Sequence, residues 1–148
     1  MNPPYTVLGV YHPPIWNTAR IGLDLTALTR AHGLVPHVDP AHGPLERAAW
    51  RSVELHAEVR RRTFRTKQAE DWHQDGDLTA SARMDCGIVL WCSNNPTQIK
   101  RRGRVEIYQP MPWDVILFSN MECQHRRPPN CPRIRWVFRQ RVIAPSYT

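Results

Sequence analysis

From residue 70 onward the chain reads as short β-like runs at 71–74, 83–92, 104–109, 114–118, 122–126 and 133–143, divided by Gly, Pro and Asn signals. Helical signals fall earlier. Tyr5 to Tyr11 is β-rich and stops at His12-Pro13-Pro14, which predicts a first short strand. Asn17 or Thr18 is suited to cap a helix through about His32, with Ile21, Leu25 and Leu28 on one face and Gly33 as its stop. Gly43-Pro44 marks a second predicted helix through about Arg62, whose partial apolar stripe is Leu45, Ala48, Ala49, Leu55 and Val59. Helices followed by a run of strands argue against alternating βαβ units. They predict a mainly β, α+β architecture: a β-sandwich or jelly roll with N-terminal helices packed on one sheet. The 148 residues suit a single domain, with 1–69 as strand and supporting helices and 70–148 as the core. A chain of that length buries roughly 68–70% of its unfolded surface. Pro128-Pro129-Asn130 predicts a tight turn before the last strand.

The longest apolar run, Cys86 to Cys92, has seven residues, too few to cross a bilayer, so no membrane partner is expected. Met1-Asn2-Pro3-Pro4-Tyr5 shows no basic stretch leading into an apolar one, and the expected location is the cytoplasm. The four cysteines, at 86, 92, 123 and 131, form no Cys-x-x-Cys pair, so reduced thiols are expected.

His73-Gln74-Asp75 places an imidazole and a carboxylate at i and i+2, which leave the same face of an extended strand. Both can then grip one ion. His125, beyond the apolar run Val115-Ile116-Leu117-Phe118, is the distant histidine able to complete the set. Two imidazoles and one carboxylate on one face of an octahedral ion form the facial triad of non-heme Fe(II) oxygenases, which leaves three positions open. A lone His-x-Asp arises readily by chance. What adds weight here is the downstream string Pro132-Arg133-Ile134-Arg135-Trp136-Val137-Phe138-Arg139, whose first arginines lie eight and ten residues past His125. The competing readings are a surface turn around His73 and Asp75, a histidine packed beside a strand at 125, and a zinc site from Cys123, His125 and Cys131.

On these residues the chain resembles the Fe(II)/2-oxoglutarate-dependent dioxygenases over roughly residues 70–143. The resemblance implies a double-stranded β-helix, a distorted jelly roll, with His-x-Asp near its second strand, the distal histidine on its seventh and a basic residue on its eighth. It further implies that His73, Asp75 and His125 bind Fe(II), and that an arginine of the last strand binds the distal carboxylate of 2-oxoglutarate. O2 then takes the remaining position. The implied reaction couples oxidative decarboxylation of 2-oxoglutarate, to succinate and CO2, with hydroxylation of a substrate C–H bond.

Within that superfamily, Gln124-His125-Arg126 and the 132–139 string are similar to the AlkB-type nucleic-acid demethylases, whose pattern here is Arg-x-Asn-x-Thr-Phe-Arg. Arg133 matches the arginine on the C5 carboxylate and Arg139 the terminal one. Arg135 stands for the asparagine and Val137 for the threonine. Arg133, Arg135 and Arg139 have equal parity on a strand, so alternation does not choose among them. The usual superfamily spacing favours Arg135, the AlkB-like string Arg133. Polar groups on the neighbouring strand often contact co-substrate or substrate in this superfamily, which nominates Arg83 and Gln98. Trp72 and Trp91 are either core or pocket walls able to stack a base. Lys100-Arg101-Arg102-Gly103-Arg104 reads as an exposed hairpin tip or as a phosphate-contacting loop.

Residues 1–96 carry ten basic and ten acidic side chains, and residues 97–148 ten and three, so the net +7 lies in the last third. Such a concentration attracts phosphates or an anionic co-substrate. Three function classes follow: the oxygenase acting on a nucleic-acid base or nucleotide, the same chemistry on an amino acid, peptide or small metabolite, and a non-enzymatic basic binding module. A monomer and a homodimer are both open, because a small chain can bury one sheet edge against a second copy.

Overall fold

The computed structural model describes residues 2–15, 17–36, 52–55, 69–74, 88–131 and 136–143. In chain order the elements are β1 (Tyr5–Val10), α1 (Thr18–Ala31), β2 (Val35–Pro36), β3 (Ser52–Leu55), β4 (Ile88–Ser93), β5 (Gln98–Arg101), β6 (Asp114–Ser119), β7 (Cys123–Arg126) and β8 (Trp136–Ile143). The described fold is mainly β.

Helix α1 begins and ends where local chemistry dictates. Asn17 is extended, and its side-chain oxygen accepts from the Arg20 amide at 3.0 Å. At the other end Gly33 has φ 72°, and its amide reaches the Arg30 carbonyl while that of Leu34 reaches Thr29. This pair of bonds closes the orphan carbonyls, and only glycine takes that left-handed conformation at no steric cost. Ile21 and Leu25 are fully buried and Leu28 packs beside them, so the predicted stripe is the one that faces the sheet. Each fully buried aliphatic side chain contributes roughly 1.5–3 kcal/mol.

The larger sheet is antiparallel, in the order β1-β6-β4-β8-β2, with β3 also on β8. The eight-residue β8 serves two short partners along one edge: β2 pairs at Val142 and Ile143, and β3 pairs from Trp136 to Arg139. Strand β4 is central. Its Leu90 and Cys92 lie in the cluster beneath α1, and its Val89 and Trp91 lie in a second cluster with Ile99, Ile116, Phe118, Cys123 and Val137. That double burial explains a run of consecutive apolar residues in place of alternation.

The smaller sheet pairs β5 with β7. An isolated bridge joins His73 to His125 on its outer side and another joins Ile99 to Tyr108, which gives four lanes: His73, β7, β5, Tyr108. The second cluster fills the space between the two sheets, so the layers run helix, sheet, sheet.

Several expectations are corrected. The second predicted helix, 44 to about 62, fails at Ser52–Leu55, which is strand β3. Ser-Val-Glu-Leu alternates with period two, and pairing with β8 prevails over the weak helical stripe. The remainder of that predicted helix lies outside the described residues. Residues 104–109 form no strand beyond the bridge at Tyr108, whereas Gln98–Arg101 are β5, which takes in Lys100 and Arg101 of the expected tip. The tip itself narrows to Arg102-Gly103, with Gly103 at φ 76°. Asn130, at φ 58°, forms the turn expected before the last strand. Cys92, Cys123 and Cys131 are buried and outside any disulfide, and Cys86 lies outside the described residues.

Candidate metal centre

The backbone brings the two candidate histidines together. The His73 amide donates to the His125 carbonyl at 3.1 Å, and the His125 amide to the His73 carbonyl at 2.9 Å. Residues that exchange both bonds stand directly opposite, with side chains on one face of the sheet. Their ring centroids are 4.5 Å apart. Far apart in sequence, the two become neighbours through a single antiparallel pair.

Side-chain contacts hold the His73 lane in place from both ends. The Gln74 amide donates to the carbonyls of Asn120 and Met121, in the turn between β6 and β7. The Glu70 amide bonds the Arg127 carbonyl, and the Glu70 carboxylate accepts from the Arg127 amide, both at 3.0 Å. A carbonyl only accepts, so the 2.8 Å contact of His73 Nδ1 with the Asp71 carbonyl is a donated N–H. In the neutral ring that tautomer puts the lone pair on Nε2. A backbone carbonyl on one ring nitrogen is the usual orienting device of a metal-binding histidine.

His125 is 1% exposed, whereas the His73 side chain is 37% exposed. Around His125 stand Trp91, with centroids 4.9 Å away, and Phe118 at 5.6 Å in an edge-on contact. Trp91 is fixed in turn by its indole N–H, which donates to the Thr97 hydroxyl at 3.2 Å. One imidazole is therefore locked in an apolar wall between the sheets, and the other faces it from the half-exposed rim.

The other expected site residues divide. Arg139 is in β8, where the register sets it opposite Trp91 and at the same parity as Val137. Asp75, Arg83, Arg133 and Arg135 lie outside the described residues, so the arginine register stays open. Among the described residues no group of three His, Cys, Asp or Glu side chains is placed to hold a metal ion. Trp91 belongs with the histidines, but Trp72 and Gln98 do not. Trp72 lies under Lys100 Nζ and the Arg126 guanidinium, 4.4 and 4.3 Å from its ring centroid, and Gln98 accepts from Arg126 Nε at 2.8 Å. Those partners occupy the outward positions of β5 and β7, opposite in parity to Ile99 and His125. Neither residue lines the space that the histidines share.

Glu70, Thr97 and Phe118 join the site without having been expected there. Phe118 had a signal, since it ends the apolar run leading to His125. Glu70 acts through the amide of Arg127, far along the chain, and Thr97 through the Trp91 indole across the turn that follows β4, and neither leaves a periodic pattern. No helix among the described residues is long and apolar enough to cross a membrane. No family model matches the chain, and no curated protein or solved structure matches it.

Proposed function

We propose that the chain is an Fe(II)- and 2-oxoglutarate-dependent oxygenase built on a double-stranded β-helix. The carrying observation is the reciprocal pairing of His73 with His125, with both imidazoles on one sheet face and the His73 tautomer set by the Asp71 carbonyl. The strand order supports the jelly-roll reading. From β3 onward the lanes are β3-β8-β4-β6 in one sheet and His73-β7-β5-Tyr108 in the other. Taken in chain order, the described lanes alternate between the two sheets except from β5 to the Tyr108 lane, as in two interleaved Greek keys.

The donor set fits the metal: neutral imidazole and carboxylate are the ligands such iron sites use. His73 and His125 would supply the nitrogens and Asp75 the carboxylate. Bound there with 2-oxoglutarate, Fe(II) supplies O2 activation for C–H hydroxylation. Trp91 and Phe118 keep water from the His125 side and fix that ring, while His73 stands at the half-exposed rim. Arg133, Arg135 and Arg139 are the candidates for the C5 carboxylate, where a guanidinium fork makes two charge-assisted hydrogen bonds. The basic balance of residues 97–148 favours a nucleic-acid base or nucleotide as substrate over a small metabolite.

Anaerobic titration of Fe(II) with 2-oxoglutarate tests the reading through the visible metal-to-ligand charge-transfer band. Wild type is expected to show the band and His73→Ala to lose it. Correctly folded wild type without a band would overturn the proposal in favour of a non-enzymatic binding module.

A further inference from the structure

The face of the smaller sheet that turns away from the histidines has a composition of its own. The outward positions of β5 and β7 are Gln98, Lys100, Gln124 and Arg126, all partly exposed and none acidic. Trp72, on the adjoining lane, underlies the ammonium of Lys100 and the guanidinium of Arg126. Arg102 and Arg104 stand exposed at the turn that follows β5. Glu70, the carboxylate on the same lane as Trp72, already accepts from the Arg127 amide.

We infer that this outward face is a docking surface for single-stranded nucleic acid, gripped through its phosphates by Lys100 and Arg126 over Trp72. The indole restrains two long cationic side chains by cation–π contact, which lowers the entropy lost when they take hold of a ligand. Arg126 spends Nε on Gln98, and among the described residues its two terminal amino groups make no hydrogen bond, so they are disposed as a fork for a phosphate. Gln98 is locked between Arg126 and Gln109 by hydrogen bonds of 2.8 and 3.2 Å, so the row is rigid before any ligand arrives. Phosphate contacts of this kind position a strand without reading its sequence. The choice of a single strand over a duplex rests on the oxygenase reading, because chemistry on a base needs it out of the stack. Binding itself does not depend on that reading.

Fluorescence anisotropy with a labelled oligo(dT), taken across a salt series, tests the assignment. Wild type is expected to bind at low salt. The Lys100→Gln/Arg126→Gln double variant should bind about tenfold more weakly, with a salt slope shallower by about 0.7 for each phosphate it no longer neutralises. Trp72→Leu keeps both charges, so it should weaken binding and leave the slope unchanged. Should that variant not fold, the double variant, confined to partly exposed side chains, decides alone. No binding by wild type, a double variant equal to wild type, or equal affinity for polyglutamate of matched charge would each overturn the inference. The charge-transfer band of Lys100→Gln should match wild type. Oligonucleotide binding without a band would sink the oxygenase reading alone, and a band without binding would sink only this inference.

Discussion

His73 and His125 face each other across one backbone pair yet differ in what surrounds them, and the difference is measurable. His125 fills space between Trp91 and Phe118, so His125→Ala should cost on the order of 2–4 kcal/mol, as large-to-small core changes do. His73→Ala, at a half-exposed position, should cost less than about 1 kcal/mol. Urea denaturation of both variants checks this, and equal costs would contradict the packing account. Cys92 supplies a pH prediction. Burial, with a smaller contribution from the charge of Asp114, pushes its thiol up to about 12 from an ordinary value of 9.0. The folded state then holds this proton more tightly than the unfolded chain. The resulting stability is complete below pH 9 and is lost as pH rises toward 12, a change on the order of 4 kcal/mol. Tyr11 adds to the same alkaline loss: burial and its 2.7 Å bond to Asp24 raise its phenol too. Denaturation midpoints of Cys92→Ala should therefore fall less steeply than those of wild type between pH 9 and 11.

Among the elements, α1 was legible because its signals are local. Asn17, the Ile21-Leu25-Leu28 stripe and Gly33 each act within one turn of the helix. Asn17→Ala should destabilise the protein by about 1 kcal/mol and Gly33→Ala by a similar amount, read from thermal or chemical melts. The strand centred on Leu90 was also legible, since burial on both faces demands an unbroken apolar run. Strand β3 was not. Ser52–Leu55 offers only four residues of alternation inside a helix-like stretch, and what makes it a strand is the edge of β8, some eighty residues later in the chain. Strand β5 escaped for a related reason: Gln98-Ile99-Lys100-Arg101 has one apolar position, and Ile99 alone faces the core.

At the scale of the whole molecule, a helix layer and a second sheet cover opposite faces of the larger sheet. Its central strand β4 is paired on both sides, by β6 and β8, whereas β1 has one partner among the described residues and exposes Val7 and Val10. Amide hydrogen exchange should therefore be slowest in β4 and clearly faster in β1, with protection falling from centre to edge. Similar rates in the two strands would contradict the topology. The sequence alone determined a β-rich chain with one well-capped helix, an apolar central strand, a basic final third and His73 and His125 as candidate partners. These follow from short-range periodicity, caps and composition. Only the tertiary structure decided that the two histidines share one hydrogen-bonded pair, that Trp91 walls their space, and that Trp72 and Gln98 turn the other way. A strand residue's face depends on which distant strand it pairs with and in what register, and a shift of one residue exchanges the faces. That choice is made by burial over the whole sheet, which no local stretch of sequence contains.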